Sequence, residues 1–168
     1  MLKAYSKFLD KLETIEKLFL YVTVTLMVIV IVYQVILRYC FSASNSWSEE
    51  LARYLFIYDV MIGAAIATRK NSHLQVDFLI NLLKPKMKAL FTVVATSIGM
   101  VFLVFLFSYS LTLVQTASAN ISAGLGIPMS IPYACMPIGI VLMMLTSLEV
   151  VFKNVEIMMK GEEGVSEQ

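Results

Sequence analysis

The stretch LFLYVTVTLMVIVIVYQVIL, residues 18–37, contains twenty consecutive side chains without a charge. An α-helix rises about 1.5 Å per residue, so a helix of this length matches a hydrocarbon core about 30 Å thick. Lipid offers no hydrogen-bond partners to an exposed backbone, so the segment crosses as a helix despite its many β-branched residues. It therefore predicts a first transmembrane helix at residues 18–40.

Three further segments predict spans of similar length. Residues 47–68 are predominantly apolar, although they contain Arg53 and Asp59. No charged side chain occurs between Lys88 and Glu149, and this run is too long for one helix. Its middle contains Gly and Pro, which indicates a hairpin of two spans. The predicted spans are residues 18–40, 47–68, 89–114 and 131–152, followed by a tail at 153–168.

The composition agrees with a membrane protein, because 59% of the 168 residues are hydrophobic. A soluble domain carries a smaller apolar fraction. The formal net charge is +1 with a single histidine, so the basic face that nucleic-acid binding needs is missing. No Cys/His spacing indicates a metal site. We expect an all-α integral membrane protein with one four-helix domain, no cofactor and no enzymatic activity.

The distribution of Lys and Arg predicts the orientation of the chain. The N-terminal segment has four lysines, and the connection between the second and third spans has five basic residues. The connection after the first span offers only Arg38, and the connection at 115–130 has no charge. Cytoplasmic segments retain the excess of positive charge, so both termini are expected in the cytoplasm. No clear cleavage site precedes Arg38, so we expect the first span to stay in the mature protein rather than act as a signal peptide.

Two short segments predict helices that lie at the membrane surface. In residues 1–17, apolar side chains recur at helical spacing with lysines on the other side, which favours an amphipathic interfacial helix. A frayed cytoplasmic tail is the alternative. Leu74, Phe78 and Leu82 repeat the pattern, and Pro85 follows them. We predict a second short surface helix there, closed by Lys84-Pro85.

The stretch WSEELARYL, residues 47–55, brings charge to the entrance of the second span. Ser46 and Glu49 fit a capping box at a helix N-terminus. Trp47 suits an interfacial aromatic position, and either Glu49 or Glu50 lies one turn from Arg53 and can pair with it. The structural interpretation is the start of a helix, and the functional one is a contact with a partner.

Asp59 lies about 9 Å farther along the same helix than Arg53. An ionised group at that depth is costly unless it faces protein, water or a partner, so we expect Asp59 to face an interface. The two residues are six positions apart and therefore lie on different faces of a helix. Arg38 on the first span is a candidate partner for the Glu50 carboxylate.

His73 and Asp77 are four residues apart in the connection after the second span. Two side chains are too few for a zinc site, so a local hydrogen bond or a partner contact is predicted. Cys40 and Cys135 both fall near the outer face of the predicted topology. A disulfide between them is chemically allowed there, and the alternative is that each acts as a small apolar residue.

The ordered motifs resemble those of the small membrane subunit, of the DctQ type, of tripartite ATP-independent periplasmic (TRAP) transporters. The resemblance covers nearly the whole chain, and it depends on the order and spacing of the motifs more than on any one of them. The motifs are WSEELARYL at 47–55, GAA at 63–65 followed by Arg69, HLQVDF at 73–78, GIPM at 126–129, Tyr133, and PIG at 137–139.

The resemblance implies a small scaffold subunit in the bacterial inner membrane. It implies two partners besides membrane lipid: a large membrane subunit, expected as a separate chain, and a periplasmic substrate-binding protein. The implied reaction is sodium-coupled import of an organic acid such as a C4-dicarboxylate, a sugar or keto acid, or sialic acid. The residues expected to bind partners or organise helices are Arg38, Trp47, Glu49, Glu50, Arg53, Asp59, Arg69, His73 and Asp77.

Within that set, we expect Trp47, Glu49 and Glu50 to contribute to docking of the binding protein, and Arg53 and Asp59 to organise helices. Two other functions stay open from the residues. One is an autonomous proton-coupled exporter that uses Glu50 and Asp59 as carriers, since intramembrane carboxylates are functional candidates. The other is an assembly subunit of a different membrane complex. The sequence shows no paired broken helices and no evident inverted repeat, which weighs against a self-sufficient transporter.

Overall fold

Four long helices dominate the computed structural model, which describes residues 2–43, 45–70 and 85–160. Each is long and apolar enough to cross a membrane. The described residues form no strand, only one isolated bridge between Ile121 and Pro128. The predicted all-α fold with four spans is confirmed. The helices are α1 (Leu2–Cys40), α2 (Ser46–Arg69), α3 (Pro85–Ala117), the one-turn α4 (Ser130–Tyr133) and α5 (Cys135–Lys160).

The helices pack in the order α1, α2, α5, α3, with each packed mainly on the next. The two inner helices, α2 and α5, therefore each contact two other long helices and are more buried than the others, with 22% of the residues buried in the spanning part of α2. In the spanning part of α5, 39% of the residues are buried within the chain, against 6% in α3 and 11% in α1. Most of the exposed apolar surface consequently lies on the two outer helices.

The contact between α1 and its neighbours follows a stripe of residues seven apart. Leu9, Glu16, Thr23 and Val30 are all buried, and their exposed fractions are at most 7%. A strict seven-residue repeat keeps one seam against a partner only if the helices cross with a slight left-handed twist. Two of the four positions are polar, so the seam also carries hydrogen-bonding groups.

The two inner helices approach closely at Gly139 of α5. A Cβ atom at this position would lie 2.9 Å from Cβ of Met61 on α2. In membranes, small residues allow such close backbone packing where the hydrophobic effect gives no help. Gly139 therefore sets the spacing of the α2–α5 pair.

Helix α1 runs without a break through the position where a surface helix was expected to give way to the first span. No Gly or Pro occurs between Leu2 and Cys40, so nothing in the backbone ends the helix near residue 17. The predicted interfacial segment forms the first four turns of α1. The complete helix is about 58 Å long by the standard rise, about twice the thickness of a hydrocarbon core.

The other helix ends also differ from the predicted limits. Pro85 begins α3, where its fixed φ and missing N–H suit the first helical turn. The fourth predicted span is divided into α4 and α5 at Ala134. Pro137 lacks the N–H that would bond to the carbonyl of Tyr133, which accounts for the break. The predicted tail at 153–168 begins inside α5, which continues to Lys160. Residues 161–168 and the predicted surface helix around Leu74 to Leu82 lie outside the described residues.

Candidate functional site

The connection between α3 and α4 is organised by one carboxylate of α2. Oε2 of Glu50 accepts hydrogen bonds from Oγ of Ser122 at 2.5 Å, from N–H of Gly124 at 2.7 Å and from N–H of Leu125 at 3.1 Å. Oε1 accepts one from the hydroxyl of Tyr54 at 2.5 Å. Successive backbone N–H groups of this kind form a small anion-binding concavity. The Glu50 carboxylate therefore has four donors and stands where a bound anion would in such a turn.

The connection is folded so that it presents these donors. Gly126 accepts a φ of +68°, and its N–H donates to the carbonyl of Ser122 at 3.1 Å. The N–H of Ser122 donates to Ile127 at 2.9 Å, which closes the turn. At Gly124, a Cβ atom would lie 2.6 Å from Oε2 of Glu50, so only glycine fits without a shift. We call residues 122–127 together with Glu50 the outer anchor.

The outer anchor corrects one sequence-based prediction. The predicted contact between Arg38 and Glu50 is wrong, because the carboxylate faces the connection and Arg38 lies exposed in the last turn of α1. The partners Ser122 and Gly124 were not foreseen. They lie 72 and 74 residues from Glu50, and only the glycine spacing of the connection hinted at a special turn.

The start of α2 also differs from the predicted capping box. Asn45 is the N-cap and makes no side-chain capping bond, so the Ser46–Glu49 capping box is wrong. Instead, Oγ of Ser48 donates to the carbonyl of Asn45 at 3.0 Å. The ring of Trp47 packs beside that of Tyr33, with centroids 6.1 Å apart.

The pairing of Glu49 with Arg53 is confirmed, at 3.4 Å between Oε1 and Nη2. Both side chains are more than 60% exposed. The pair lies on the outer surface of α2 and is free to meet another molecule.

Halfway along α2, Asp59 faces α1. Its Oδ1 accepts a short hydrogen bond from Oγ1 of Thr23, which lies in the seven-residue stripe. Its exposed fraction is 9%, and within the part of the chain that the structure describes, Oδ2 has no hydrogen-bond partner. Asp59 thus lies in a contact between helices, on a different side of α2 from Arg53.

Near the other end of α2, Arg69 brings three helices together. Its guanidinium contacts Glu149 of α5 at 2.8 Å, Glu13 of α1 at 2.5 Å and Asp10 of α1 at 2.6 Å. The side chain of Glu149 is 1% exposed and that of Arg69 is 9% exposed. A planar guanidinium with five donors suits such multiple carboxylate contacts.

Two lysines complete this cluster, which we call the inner anchor. Lys17 contacts Glu13 at 2.6 Å, and Lys153 contacts Glu149 at 2.8 Å. The cluster thus contains three acidic and three basic side chains, and their formal charges sum to zero. One turn away on α5, the carbonyl of Leu145 accepts a hydrogen bond from the hydroxyl of Tyr5 at 2.8 Å, so the first turns of α1 reach across to α5.

The sequence named Arg69 as a candidate but missed its partners. Glu149 lies 80 residues away along the chain, and no local spacing connects the two. The available signal was that Glu149 ends a long uncharged run and so needed a counter-charge. The candidates His73 and Asp77 lie outside the described residues.

The described ranges contain no group of three or more His, Cys, Asp or Glu side chains arranged to hold a metal ion. Cys40 is an exposed free thiol and Cys135 a buried one. The charged groups of both anchors are occupied by contacts within the chain. Their arrangement therefore fixes the positions of helices and of one connection.

These features define the class, which is a multi-pass membrane protein. Its helices are fixed by polar contacts near both ends, and its peripheral helices, α1 and α3, expose apolar surface. Residues 27–156 match the profile of the family described as tripartite ATP-independent periplasmic transporters, DctQ component. The match covers well over half of the chain, and the chain belongs to this family. It is accordingly a multi-pass protein of the bacterial inner membrane.

Relatives with names of their own agree with this membership. The chain is 34% identical to the sialic acid TRAP transporter permease protein SiaT of Haemophilus influenzae, over 68% of the chain and 19% of SiaT. It is 35% identical to the sialic acid TRAP transporter small permease protein SiaQ of Vibrio cholerae, over 51% of the chain and 47% of SiaQ. It is 29% identical to the C4-dicarboxylate TRAP transporter small permease protein DctQ of Rhodobacter capsulatus, over 63% of the chain and 48% of that protein. In each of the three, the match spans less than half of the relative's own length.

Proposed function

We propose that this chain is the small scaffold subunit of a TRAP transporter, which braces a large transport subunit in the membrane. The observation that carries the proposal is the pair of anchors. The outer anchor fixes a connection to α2, and the inner anchor fixes α1, α2 and α5 to one another. A small subunit whose helices are fixed to one another holds the immobile part of the large subunit in place, so that the transport domain can move against it.

The peripheral helices α1 and α3 supply the surface for the large subunit. Large apolar side chains of α3 are exposed along its length, among them Ile98, Phe102, Phe105 and Tyr109, at 61% to 73%. Such extended apolar surface is met by lipid or by helices of another membrane protein. The name of SiaT, a permease of which this chain matches only 19%, supports a larger partner unit.

The proposal includes docking of a periplasmic binding protein on the outer side. Trp47, Glu49 and Arg53 are exposed near the start of α2, and Ile121 is 70% exposed on the outer connection. In this proposal, Glu50 acts as a positioning residue. Its carboxylate is engaged by the connection and holds the docking surface in shape.

For the substrate, we propose an organic acid taken up with sodium. Relatives named for sialic acid and for C4-dicarboxylates support a carboxylate substrate as a class. The choice within that class would be made by the binding protein and the large subunit.

The test begins with the tagged full chain, mildly solubilised from its native membrane and affinity-purified. We expect a stoichiometric, much larger multi-span protein to co-purify. The isolated pair is then placed in liposomes with the binding protein and a sodium gradient, and we expect uptake of the acid only when all three proteins are present. A lone chain that moves a solute in liposomes by itself would contradict the proposal and favour a small exporter.

A further inference from the structure

The first four turns of α1 divide their charged residues between two faces. Asp10 and Glu13 point to the protein side and contact Arg69, at 2.6 Å and 2.5 Å. Glu16 is 5% exposed on the same side, in the seven-residue stripe. The acidic side chains of this segment are thus directed toward the rest of the chain.

The basic residues Lys7 and Lys11 lie on a neighbouring face, and Lys7 is one turn from Asp10, whose side chain is 63% exposed. The two lysines are four residues apart, so their side chains follow one strip of the helix, and both are exposed. Among the described residues, no carboxylate lies within ion-pair distance of either. Asp10, which is next to Lys11 and three residues from Lys7 in sequence, is engaged by Arg69.

Beside this basic strip lies an apolar one. Phe8 is 57% exposed and Ile15 is 63% exposed. They are seven residues apart and therefore share a face. The strip leads directly to Leu18, which is 64% exposed at the start of the uncharged run. The apolar surface of the spanning helix is continuous with that of its first turns.

We propose that Lys7, Lys11, Ile15 and Leu18 form a binding surface for an anionic phospholipid. The two ammonium groups contact the phosphate-bearing headgroup, and the acyl chain packs on Ile15 and Leu18, which are 63% and 64% exposed. A helix with adjacent basic and apolar strips binds at a lipid interface in this way, with the lysine stems lying along the apolar surface. Since the acidic face is held by Arg69, the inner anchor fixes the rotation of α1 that turns the basic strip to the lipid.

The lipid fits this surface better than a helix of a membrane partner does. Two neighbouring ammonium groups without counter-charges need anionic groups, and headgroups supply these at the level where a spanning helix leaves the hydrocarbon core. Lys11 and Lys7 lie about 10 Å and 16 Å along the helix from Leu18, where the uncharged run begins, and their long side chains extend toward the headgroups at that level. The proposal is independent of which side of the membrane the N-terminus faces.

The experiment uses the only tryptophan of the chain, Trp47, which lies at the other end of the assembly. The full-length variant Trp47→Phe with Ile15→Trp carries its single tryptophan on the proposed surface. It is reconstituted into phosphatidylcholine vesicles that contain an equal mole fraction of brominated phosphatidylglycerol or brominated phosphatidylcholine. We expect stronger quenching of the fluorescence by the brominated phosphatidylglycerol.

Lys7→Gln and Lys11→Gln are then added to the reporter chain. Each lysine near an anionic surface contributes about a five-fold factor in affinity, so the preference for phosphatidylglycerol should fall with each change and nearly vanish in the double variant. Lys70→Gln is the matched control, because it removes an exposed charge that lies on a different helix and should leave the preference unchanged. Equal quenching by the two lipids, or an equal loss with Lys70→Gln, would overturn the proposal.

Native mass spectrometry of the full chain gives a second readout without a reporter. The wild-type chain should retain phosphatidylglycerol over phosphatidylcholine, and the double lysine variant should not. The measurement is repeated on any complex that co-purifies. A preference that disappears in the complex would show that a partner protein covers the surface, and this too would overturn the proposal. Failure to isolate a complex would count against the proposed function and leave the lipid result intact.

Discussion

At the outer anchor one carboxylate, that of Glu50, receives hydrogen bonds from neutral groups of a connection, whereas at the inner anchor one guanidinium, that of Arg69, meets three carboxylates. The donors from the connection are two backbone N–H groups and the hydroxyl of Ser122, so that anchor shapes a local turn. The inner contacts use long charged side chains and join three helices. The difference indicates that the outer anchor positions a surface, while the inner anchor holds the assembly together.

The largest effect is expected at the inner anchor. Arg69→Met removes the guanidinium from Glu149, whose side chain is 1% exposed. Loss of one partner of a buried ion pair costs about 3–5 kcal/mol, although Lys153 keeps part of the compensation. We expect thermal unfolding in detergent to occur at a clearly lower temperature, with loss of the α1 contacts.

The matched control for that variant is Lys70→Met. Lys70 follows Arg69 directly but is exposed, so its replacement should change stability by less than about 0.5 kcal/mol. If both variants unfolded at the same temperature, the inner anchor would not hold the helices together.

A smaller effect is expected from Gly124→Ala at the outer anchor. The new methyl group would lie 2.6 Å from Oε2 of Glu50, so the turn must move and its bonds to the carboxylate are lost. These hydrogen bonds are stronger than bonds between neutral groups, but they hold only the local turn. We expect faster hydrogen exchange at residues 122–127 and reduced uptake, with the helices intact.

Gly99→Ala serves as the control, because nothing lies within 4 Å of the added atom. Alanine favours a helix over glycine by about 1 kcal/mol, so this change should be neutral or stabilising. Unchanged exchange in Gly124→Ala would show that the connection holds its shape without Glu50.

The comparison is sharpened by Glu50→Gln. The amide keeps one acceptor oxygen but loses the negative charge that the N–H groups of Gly124 and Leu125 face. We expect an effect on stability that is smaller than that of Arg69→Met, because the amide still accepts a hydrogen bond and no buried charge is left without a partner. Exchange of those two amides should quicken while the melting temperature falls only slightly; a fall as large as that of Arg69→Met would erase the distinction between the anchors.

The smallest effect is expected from Glu49→Gln. The ion pair with Arg53 is more than 60% exposed on both sides, and exposed pairs contribute about 0–1 kcal/mol. Stability should stay unchanged, while affinity for the binding protein, measured by surface plasmon resonance on the assembled complex, should fall. A stability loss above about 1 kcal/mol would show that this pair belongs to a third anchor.

The spans could be predicted from the sequence because their signal is local. A run such as residues 18–37 is long, uncharged and readable without its neighbours. The continuity of α1 was also readable, since nothing between Leu2 and Cys40 breaks a helix, but the change from polar to apolar residues suggested a boundary that the backbone does not have.

The anchors could not be predicted in full because their partners are far apart in sequence. Glu50 and Gly124, like Arg69 and Glu149, meet only after the helices have packed. The cost of charge near lipid marked Glu50 and Asp59 as side chains that need partners, whereas Arg69 was a candidate only through the family resemblance. That argument shows that a charged side chain needs a partner, but it does not identify the partner. Arg38 was therefore wrongly matched to Glu50.

Because α1 is one unbroken helix, the direction in which each side chain of its first turns points is fixed by the rotation of the spanning part. One residue inserted after Lys17 would turn the preceding turns by about 100° relative to the rest. Lys11 would then occupy the place of Asp10, Thr14 that of Glu13, and Lys17 that of Glu16. Arg69 would then meet a lysine in place of Asp10 and a neutral threonine in place of Glu13, although the composition of the helix would have changed by a single residue.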